Sequence, residues 1–162
     1  MELRPATLDD AEAIRSIYNP EVLESTVTFD LVPRSLDQQR SWLSDRSGVH
    51  TVLVAVDDGQ EVVGFGSLSP YKERPAYRTT VEDSVYVRRD CQGRGVGSLV
   101  LGALLATATS HGFHAVMARI VGDHDASIAL HSRHGFEIVG TEREVGRKFG
   151  RWLDVVAMQR LL

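Results

Sequence analysis

Three glycines at alternate positions lie where a strand-like segment meets a helix-like one. The segment Val85-Tyr86-Val87 has the β-branched and aromatic side chains typical of a strand. Residues 96–110 contain no charged side chain, which predicts a helix packed on most sides. Gly93, Gly95 and Gly97 occupy the junction. Because glycine permits positive φ, backbone N–H groups can converge there on an anion at the positive end of the helix. The junction therefore predicts a phosphate-binding turn.

The two common nucleotide-binding patterns do not fit this turn. The P-loop requires a lysine followed by serine or threonine, and no lysine occurs here. The dinucleotide pattern requires a third glycine where Ser98 stands, and an acidic residue about twenty positions on, where Ala115 stands. From the turn alone, two interpretations remain: it binds a different phosphate-bearing ligand, or it binds nothing.

Composition restricts the class of protein. A length of 162 residues suits one domain, here residues 1–162. The formal charge of −4 gives no basic surface for nucleic acid. A single cysteine, Cys91, excludes a disulfide framework and indicates a reducing compartment. The first residues have no long apolar core, and the uncharged stretch 95–110 is too short for a bilayer span. We therefore expect a cytoplasmic protein that binds neither membranes nor nucleic acid.

Hydrophobic periodicity and turn signals predict a mixed α/β sheet in one domain. Strands alternate with helices through the middle of the chain, and antiparallel hairpins stand at either end. The predicted strands are 3–6, 51–56, 61–68, a strand ending at 87, 115–121, 136–140 and 152–158, and the predicted helices are 8–18, 36–46, 96–110 and 125–134.

Several of these boundaries depend on single residues. Asn19-Pro20 is expected to interrupt the first helix. Ser35 with Gln38 forms a capping box that starts the second helix. Gly64 and Gly66, inside a predicted strand, suggest either a bulge or a ligand lying close to the backbone.

The loop before the central strand combines cations with aromatic rings. Lys72, Arg74 and Arg78 lie among two tyrosines and two prolines. Cations and aromatics beside an active strand could bind a small anion. An ordinary solvated loop is the alternative.

Two motifs resemble those of the GCN5-related N-acetyltransferases. Gln92-x-x-Gly95-x-Gly97 is similar to the loop with which that superfamily holds the pyrophosphate of acetyl-CoA. The superfamily pattern Asn-x-x-Ser-x-x-Leu-Tyr-x-x-x-Gly-Phe has its counterpart here in His124-x-x-Ser127-x-x-Leu130-His131-x-x-x-Gly135-Phe136. The resemblance implies the superfamily fold, a central mixed and mostly antiparallel sheet flanked by helices. It also implies acetyl-CoA as co-substrate and no metal.

Further segments look like the branch that acetylates phosphinothricin and methionine sulfoximine. They are Tyr18-Asn19, 25–29, 74–78, 80–87 and 148–154. The resemblance implies acetyl transfer to the α-amine of a small glutamate-like amino acid, such as phosphinothricin, methionine sulfoximine or methionine sulfone. It also implies a homodimer and a role in resistance to such compounds.

The resemblance also assigns roles to residues. Glu82 is implied as the base that takes a proton from the amine, and His131 as a proton donor to the leaving sulfur or as a relay. The implied cofactor-binding residues are Val85, Tyr86, Val87, Gln92, Gly93, Arg94, Gly95, Val96, Gly97, Ser98 and His124. The implied substrate-binding residues are Phe29, Lys72, Glu73, Arg74, Pro75, Tyr77, Arg78 and Glu82.

Two positions depart from the resembled pattern. His124 replaces an asparagine that contacts pantetheine, and Asp83 stands where some members have histidine, a change expected to affect the substrate. From the residues alone, Glu82 could be a solvent-facing strand carboxylate and His131 a structural hydrogen-bonding residue. The alternative functions are an acetyltransferase for another amine or a protein N-terminus, and a non-catalytic acyl-CoA-binding module.

Overall fold

One mixed sheet runs through the computed structural model, which describes residues 1–46 and 48–162. Its seven strands stand in the order β1-β2-β3-β4-β5-β7-β6 over the described residues. Neighbouring strands are antiparallel except β4 and β5, which are parallel. The strands are β1 (Glu2–Pro5), β2 (Val52–Val56), β3 (Val62–Pro70), β4 (Thr80–Val87), β5 (Ala115–Val121), β6 (Glu137–Lys148) and β7 (Arg151–Leu161).

Helices cover both faces of the sheet. They are α1 (Ala11–Glu24), α2 (Leu36–Ser44), α3 (Val96–Ser110) and α4 (Asp125–Arg133). Side chains of α3 and α4 pack in a core on one face, and those of α1 and α2 pack in a second core on the other. The predicted α/β class and mostly antiparallel sheet are confirmed.

The glycines of β3 make room for α3. A Cβ at Gly66 would lie 2.6 Å from Val100 Cγ1 and 2.8 Å from Leu104 Cδ1. A Cβ at Gly64 would lie 2.9 Å from Val96 Cγ1. The pairing of β2 with β3 also shifts register between Ala55 and Val56, next to the partner of Gly64. The expected bulge is therefore present, and the close neighbour of these glycines is a packed helix.

The first helix does not stop at Pro20, contrary to the sequence prediction, and α1 continues to Glu24. Proline removes one helical N–H and disfavours the helical conformation of the preceding residue. Burial on both sides of Pro20 offsets this cost, because Tyr18 is 5% exposed and Val22 is 1% exposed. The side chain of Asn19 also bonds to the backbone N–H and carbonyl of Arg34. Tertiary packing thus overrides the local signal.

The last hairpin is longer than predicted. Strands β6 and β7 extend to Lys148 and Arg151, which face each other across a two-residue turn. Phe149 and Gly150 both have positive φ, of 51° and 71°, as a tight hairpin turn with the right twist requires. The sequence did not predict this extension because residues 141–148 are mostly polar or glycine, and they are largely exposed.

Strands β4 and β5 part after a short parallel pairing. Thr80, Val81 and Glu82 pair with residues of β5, and the rest of β4 has no partner on that side among the described residues. Beyond the split, β5 continues beside β7. The sheet therefore opens between β4 and β5, with Asp83 the first residue past the last pair.

Candidate active site

A cleft of about 850 Å³ lies in this opening. Its walls come from β4, the glycine turn, β5 and the start of α4. Every residue predicted to bind the cofactor lines it except Arg94. These lining residues are Val85, Tyr86, Val87, Gln92, Gly93, Gly95, Val96, Gly97, Ser98 and His124. The structure thus brings together two motifs that stand nearly thirty residues apart in the sequence.

The glycine turn has the geometry expected of an anion site. Gly93 and Gly95 adopt positive φ of 74° and 83°, and a Cβ at either would meet nothing within 4 Å. Backbone conformation, rather than lack of space, therefore favours glycine there. The first amides of a helix have no intrahelical acceptor, and the first three residues of α3, Val96 to Ser98, line the cleft. A phosphate placed there would receive N–H donors at the positive end of α3.

Arg89 ties this turn to α1. Its guanidinium forms ion pairs with the carboxylates of Glu21 and Glu24 and donates to the carbonyl oxygen of Pro20. Glu21 also lines the cleft. The end of α1 is therefore fixed against the phosphate-binding turn.

His131 and Asp83 form a buried pair on the cleft wall. They are 4% and 5% exposed, and His131 Nε2 lies 3.0 Å from Asp83 Oδ2. His131 Nδ1 lies 2.8 Å from the carbonyl oxygen of Ser127, and the ring packs edge-on against Phe136. Burial opposes the charged form of His131, but the hydrogen bond and charge of Asp83 outweigh burial and raise the His131 pKa. Sequence reasoning linked Asp83 only to the substrate, although on an alternating strand Asp83 shares a face with Val81 and Val85, away from Glu82.

Glu82 lies on the opposite face of β4. It pairs with Met117 in the last pair that joins β4 to β5, at what we call the closed end of the cleft. Its side chain does not line the cleft. Burial raises its pKa, while Arg119 on β5 acts in the opposite direction. The structure therefore places both predicted catalytic residues at the closed end, on different sides of the strand.

The predicted anion-binding loop lies at the other end of β4 from the glycine turn. Residues 72–78 are exposed, and residues 75–77 form a short 3₁₀ turn. Lys72 Nζ lies 4.9 Å from the ring centre of Tyr71 and 5.2 Å from that of Tyr77. None of the predicted substrate-binding residues, which include Glu73, Arg74, Pro75, Arg78 and Phe29, lines the cleft. Their role in binding stays a prediction.

Lys148 holds the segment that follows α1. This residue is 4% exposed, and its ammonium donates to the carbonyl oxygens of Thr28, at 2.8 Å, and Glu21, at 3.3 Å. Desolvation lowers its pKa. Val27 lines the cleft, and the ring of Phe29 packs over Gly146, where a Cβ would lie 2.3 Å from it. Sequence reasoning assigned no role to Lys148, whose partners lie more than a hundred residues away.

Within residues 1–46 and 48–162, no group of three or more His, Cys, Asp or Glu side chains is placed to hold a metal ion. In the same part of the chain, none of the helices has the length and apolar character needed to cross a membrane.

Comparison with known proteins gives full-length matches. The sequence model of the acetyltransferase (GNAT) domain matches residues 3–157. The chain is 40% identical to a phosphinothricin N-acetyltransferase from Streptomyces coelicolor, over 100% of this chain and 96% of that protein. It is also 40% identical to an L-methionine sulfoximine/L-methionine sulfone acetyltransferase from Pseudomonas aeruginosa, over 97% of this chain and 92% of that protein.

Solved structures match equally well. A ribosomal-protein-alanine N-acetyltransferase from Brucella melitensis superposes with a TM-score of 0.97 at 38% identity, over 100% of both chains. A phosphinothricin acetyltransferase from Sinorhizobium meliloti, solved in complex with acetyl-CoA, has a TM-score of 0.96 at 38% identity. That match covers 99% of this chain and 88% of the other.

Proposed function

Because the chain belongs to the GNAT family of acetyltransferases and is an N-acetyltransferase that uses acetyl-CoA, we propose that its acceptor is the α-amine of a small glutamate-like amino acid. Phosphinothricin, methionine sulfoximine and methionine sulfone are the acceptors proposed. The observation that carries this proposal is the full-length match, at 40% identity, to relatives named for these compounds.

The cleft residues suit acetyl-CoA. The turn 93–98 supplies positive-φ glycines and helix amides for the pyrophosphate. The unpaired edge of β4 at Val85–Val87 offers backbone groups to the amide-bearing pantetheine arm, as a strand edge does to an added strand. His124, which immediately precedes α4, is proposed to contact the pantetheine arm in place of the asparagine of the superfamily pattern. The acetyl group would then lie toward the closed end, near Asp83.

Direct attack of the amine on the thioester needs three kinds of help. The amine must lose a proton, charge on the carbonyl oxygen must be stabilised, and the leaving sulfur must gain a proton. Glu82 is proposed as the base, directly or through solvent, because burial raises its pKa toward neutrality. Backbone N–H groups of β4 are proposed for the carbonyl oxygen, and His131 for the sulfur. If Glu82→Gln and His131→Ala both keep the wild-type kcat across pH, these roles are refuted.

The acceptor is proposed to bind beyond Glu82, where the cationic loop begins. Lys72, Arg74 and Arg78 would hold its acidic end, and Tyr77 would pack against its carbon chain. Phe29 packs over Gly146, beyond the other end of β5, so its predicted contact with the acceptor has no support in this arrangement. Arg74→Ala is expected to raise KM for an anionic amine more than for a neutral one. Equal changes in KM for both amines would reject this anion-binding role.

A second copy of the chain is proposed to pack against the edge of the sheet at β6. Residues 137–145 of β6 are exposed along their whole length, and the edge of the sheet presents Ile138, Val139 and Val145. Trp152 and Phe149 add exposed aromatic surface on the same hairpin. Exposed apolar patches on sheet edges mark association sites. A symmetric homodimer would cover this surface.

Release of free CoA thiol from acetyl-CoA tests the proposal. The acceptors compared are phosphinothricin, methionine sulfoximine, methionine sulfone, and a set of neutral and basic amines. Rapid release confined to the glutamate-like compounds supports the proposed acceptor. Release with basic or neutral amines alone would overturn it.

A second candidate acceptor is the N-terminal amine of a protein. The superposed Brucella melitensis structure is named for acetylation of a ribosomal protein alanine. A peptide that begins with alanine, tested in the same thiol-release assay, separates the two candidates. Faster release with this peptide than with methionine sulfoximine would favour the protein acceptor.

A further inference from the structure

We propose that Asp83 is a positioning residue that holds His131 as a doubly protonated imidazolium, and that this pair supplies the proton taken by the leaving CoA sulfur. The proposal rests on the acetyl transfer proposed above and deepens it. It assigns the proton donor to two residues on different elements, β4 and α4, rather than to His131 alone.

The hydrogen bonds of the ring fix its protons. The carbonyl oxygen of Ser127 can only accept, so His131 Nδ1, at 2.8 Å, carries a hydrogen. Ser127 Oγ is a weaker partner of the same nitrogen, at 3.4 Å. On the other side, Nε2 lies 3.0 Å from Asp83 Oδ2. A bare Nε2 would set its lone pair against an ionised carboxylate, so a second proton must lie between the two residues.

The surroundings determine where this second proton rests. Asp83 faces the ring from β4, and the neutral ring of Phe136 faces it from beyond the end of α4. Burial is the main cause of the lowered pKa values of His124 and His134, which flank α4, and a charge on His131 lowers them further. These histidines would oppose a positive charge on His131, and burial opposes it too. Asp83 overcomes both effects, because the pKa of His131 is raised.

The second oxygen of Asp83 leaves the imidazolium of His131 as the main compensation for the carboxylate charge. Asp83 Oδ1 is buried and has no hydrogen-bond partner within the part of the chain that the structure describes. An ionised carboxylate buried with one oxygen unpaired is costly unless a neighbouring charge compensates it. The imidazolium of His131 is the cation in contact with it. Each residue therefore stabilises the charged form of the other.

The pair lies where the acetyl group, and with it the leaving sulfur, is proposed to bind. Both residues line the cleft, and Asp83 follows the last paired residue of β4 at its closed end. In the step proposed, the amine nitrogen bonds to the acyl carbon and the carbon–sulfur bond breaks, with its electron pair passing to sulfur. The sulfur replaces Asp83 Oδ2 as the acceptor of the Nε2 hydrogen and takes that proton, while the amine nitrogen loses one proton to Glu82. Exchange with solvent then returns the proton from Glu82 to His131.

Nitrogen NMR of the histidine rings tests the proton count without any acceptor. The protein is labelled with ¹⁵N at histidine, and the His131 signals are assigned by their loss in His131→Gln. At pH 7 both His131 nitrogens are expected to be protonated in the wild type. In Asp83→Asn, the ring is expected to be neutral at pH 7, with its titration moved down by about one to three pH units. Asp123→Asn is the control, since Asp123 pairs with exposed Arg151 and does not contact His131.

The pH dependence of kcat tests the proton transfer itself. The kcat of the wild type is expected to decrease at high pH as the imidazolium is lost, and we call this decrease the basic limb. In Asp83→Asn the basic limb is expected to move to lower pH by about as much as the NMR titration does. In Asp123→Asn it is expected to stay in place. Asp83→Glu, which restores a carboxylate, is expected to recover part of the limb. A His131 ring that is neutral at pH 7 in the wild type would overturn the proposal. An unmoved basic limb in Asp83→Asn would overturn it too.

These readouts separate this proposal from the proposed acceptor. The NMR measurement needs no acceptor, so its outcome does not depend on which amine is acetylated. If the acceptor assignment is wrong, the thiol-release panel shows it, and the kcat profile is then measured with whichever amine turns over. Thermal unfolding of each variant shows whether it is folded.

Discussion

Alanine at Gly66 is expected to push α3 away from the sheet. Its Cβ would lie 2.6 Å from Val100 Cγ1, 2.8 Å from Leu104 Cδ1 and 2.9 Å from the carbonyl oxygen of Ser84. Carbon atoms in ordinary contact are about 3.5–4.0 Å apart, so the helix or strand must move by about 1 Å. The backbone carbonyl cannot rotate aside as a side chain can. Overpacking of this kind costs about 1–3 kcal/mol, which for a chain of this length lowers Tm by about 2–12 °C.

The same displacement should weaken acetyl-CoA binding. The first turn of α3 carries the amides of Val96, Gly97 and Ser98 on the cleft wall, and a shift of α3 moves these donors. We expect Kd for acetyl-CoA, measured by calorimetry, to rise by about tenfold, which corresponds to about 1.4 kcal/mol.

Gly102→Ala, in α3 itself, is the matched control. Its Cβ would meet only His134 Cε1, at an ordinary 3.5 Å. Since alanine favours a helix over glycine by about 1 kcal/mol, this variant should melt at the wild-type temperature or above it, with Kd unchanged. If Gly66→Ala melts as high as Gly102→Ala, the close packing of β3 against α3 is wrong.

Three other predictions concern the site and the hairpin. Lys148→Met should cost about 1–3 kcal/mol in urea unfolding, because the carbonyls of Thr28 and Glu21 lose a charged donor. It should also raise KM for the acceptor but not for acetyl-CoA, and an unchanged KM for the acceptor would separate this segment from acceptor binding. The kcat/KM of the wild type should decrease as the pH falls, with a midpoint above the ordinary carboxyl pKa of 4.5, because burial raises the pKa of Glu82. Glu82→Gln should lack this decrease at acid pH. If the decrease persists in Glu82→Gln, another group causes it. Ile138→Lys, on the exposed β6, should halve the mass measured by light scattering, whereas an unchanged mass would place the subunit contact elsewhere.

Local signals predicted the central elements well. The predicted bounds of β5 match those of the structure, and α3 begins at Val96 after a positive-φ glycine as expected. Ser35 and Gln38 form the predicted capping box at the start of α2. Helix α4 ends before Gly135, whose φ is 79°. In each case the residues that determine where the element begins or ends lie within it or next to it. A short stretch of sequence is therefore enough to predict that boundary.

Predictions failed where distant contacts decide the structure. Pro20 stays in α1 because its neighbours are buried by the rest of the fold. The second half of β6 is a strand because β7 pairs with it, although its own side chains are polar and exposed. Phe149 adopts a positive φ that side chains seldom take, so no turn rule marks it.

The candidate site shows the same division. The phosphate-binding turn was predicted because its function depends on local backbone geometry. The partners Asp83 and His131 are 48 residues apart, and the partners Lys148 and Thr28 are 120 residues apart. Such contacts depend on sheet order, which the sequence did not predict. The one local sign that Asp83 has a special role is that this acidic residue lies on the apolar face of β4.

The two adjacent carboxylates of β4 imply a limited pH range for the proposed reaction. Glu82 must be ionised to accept a proton, and burial raises its pKa, so activity should begin above the ordinary carboxyl range. His131 must be protonated to donate one, and Asp83 raises its pKa, so activity should persist above the ordinary histidine range. Carboxylates on opposite faces of one strand thus set the lower and upper limits separately. A bell-shaped profile follows, in which Glu82→Gln removes the acid limb and Asp83→Asn moves only the basic one.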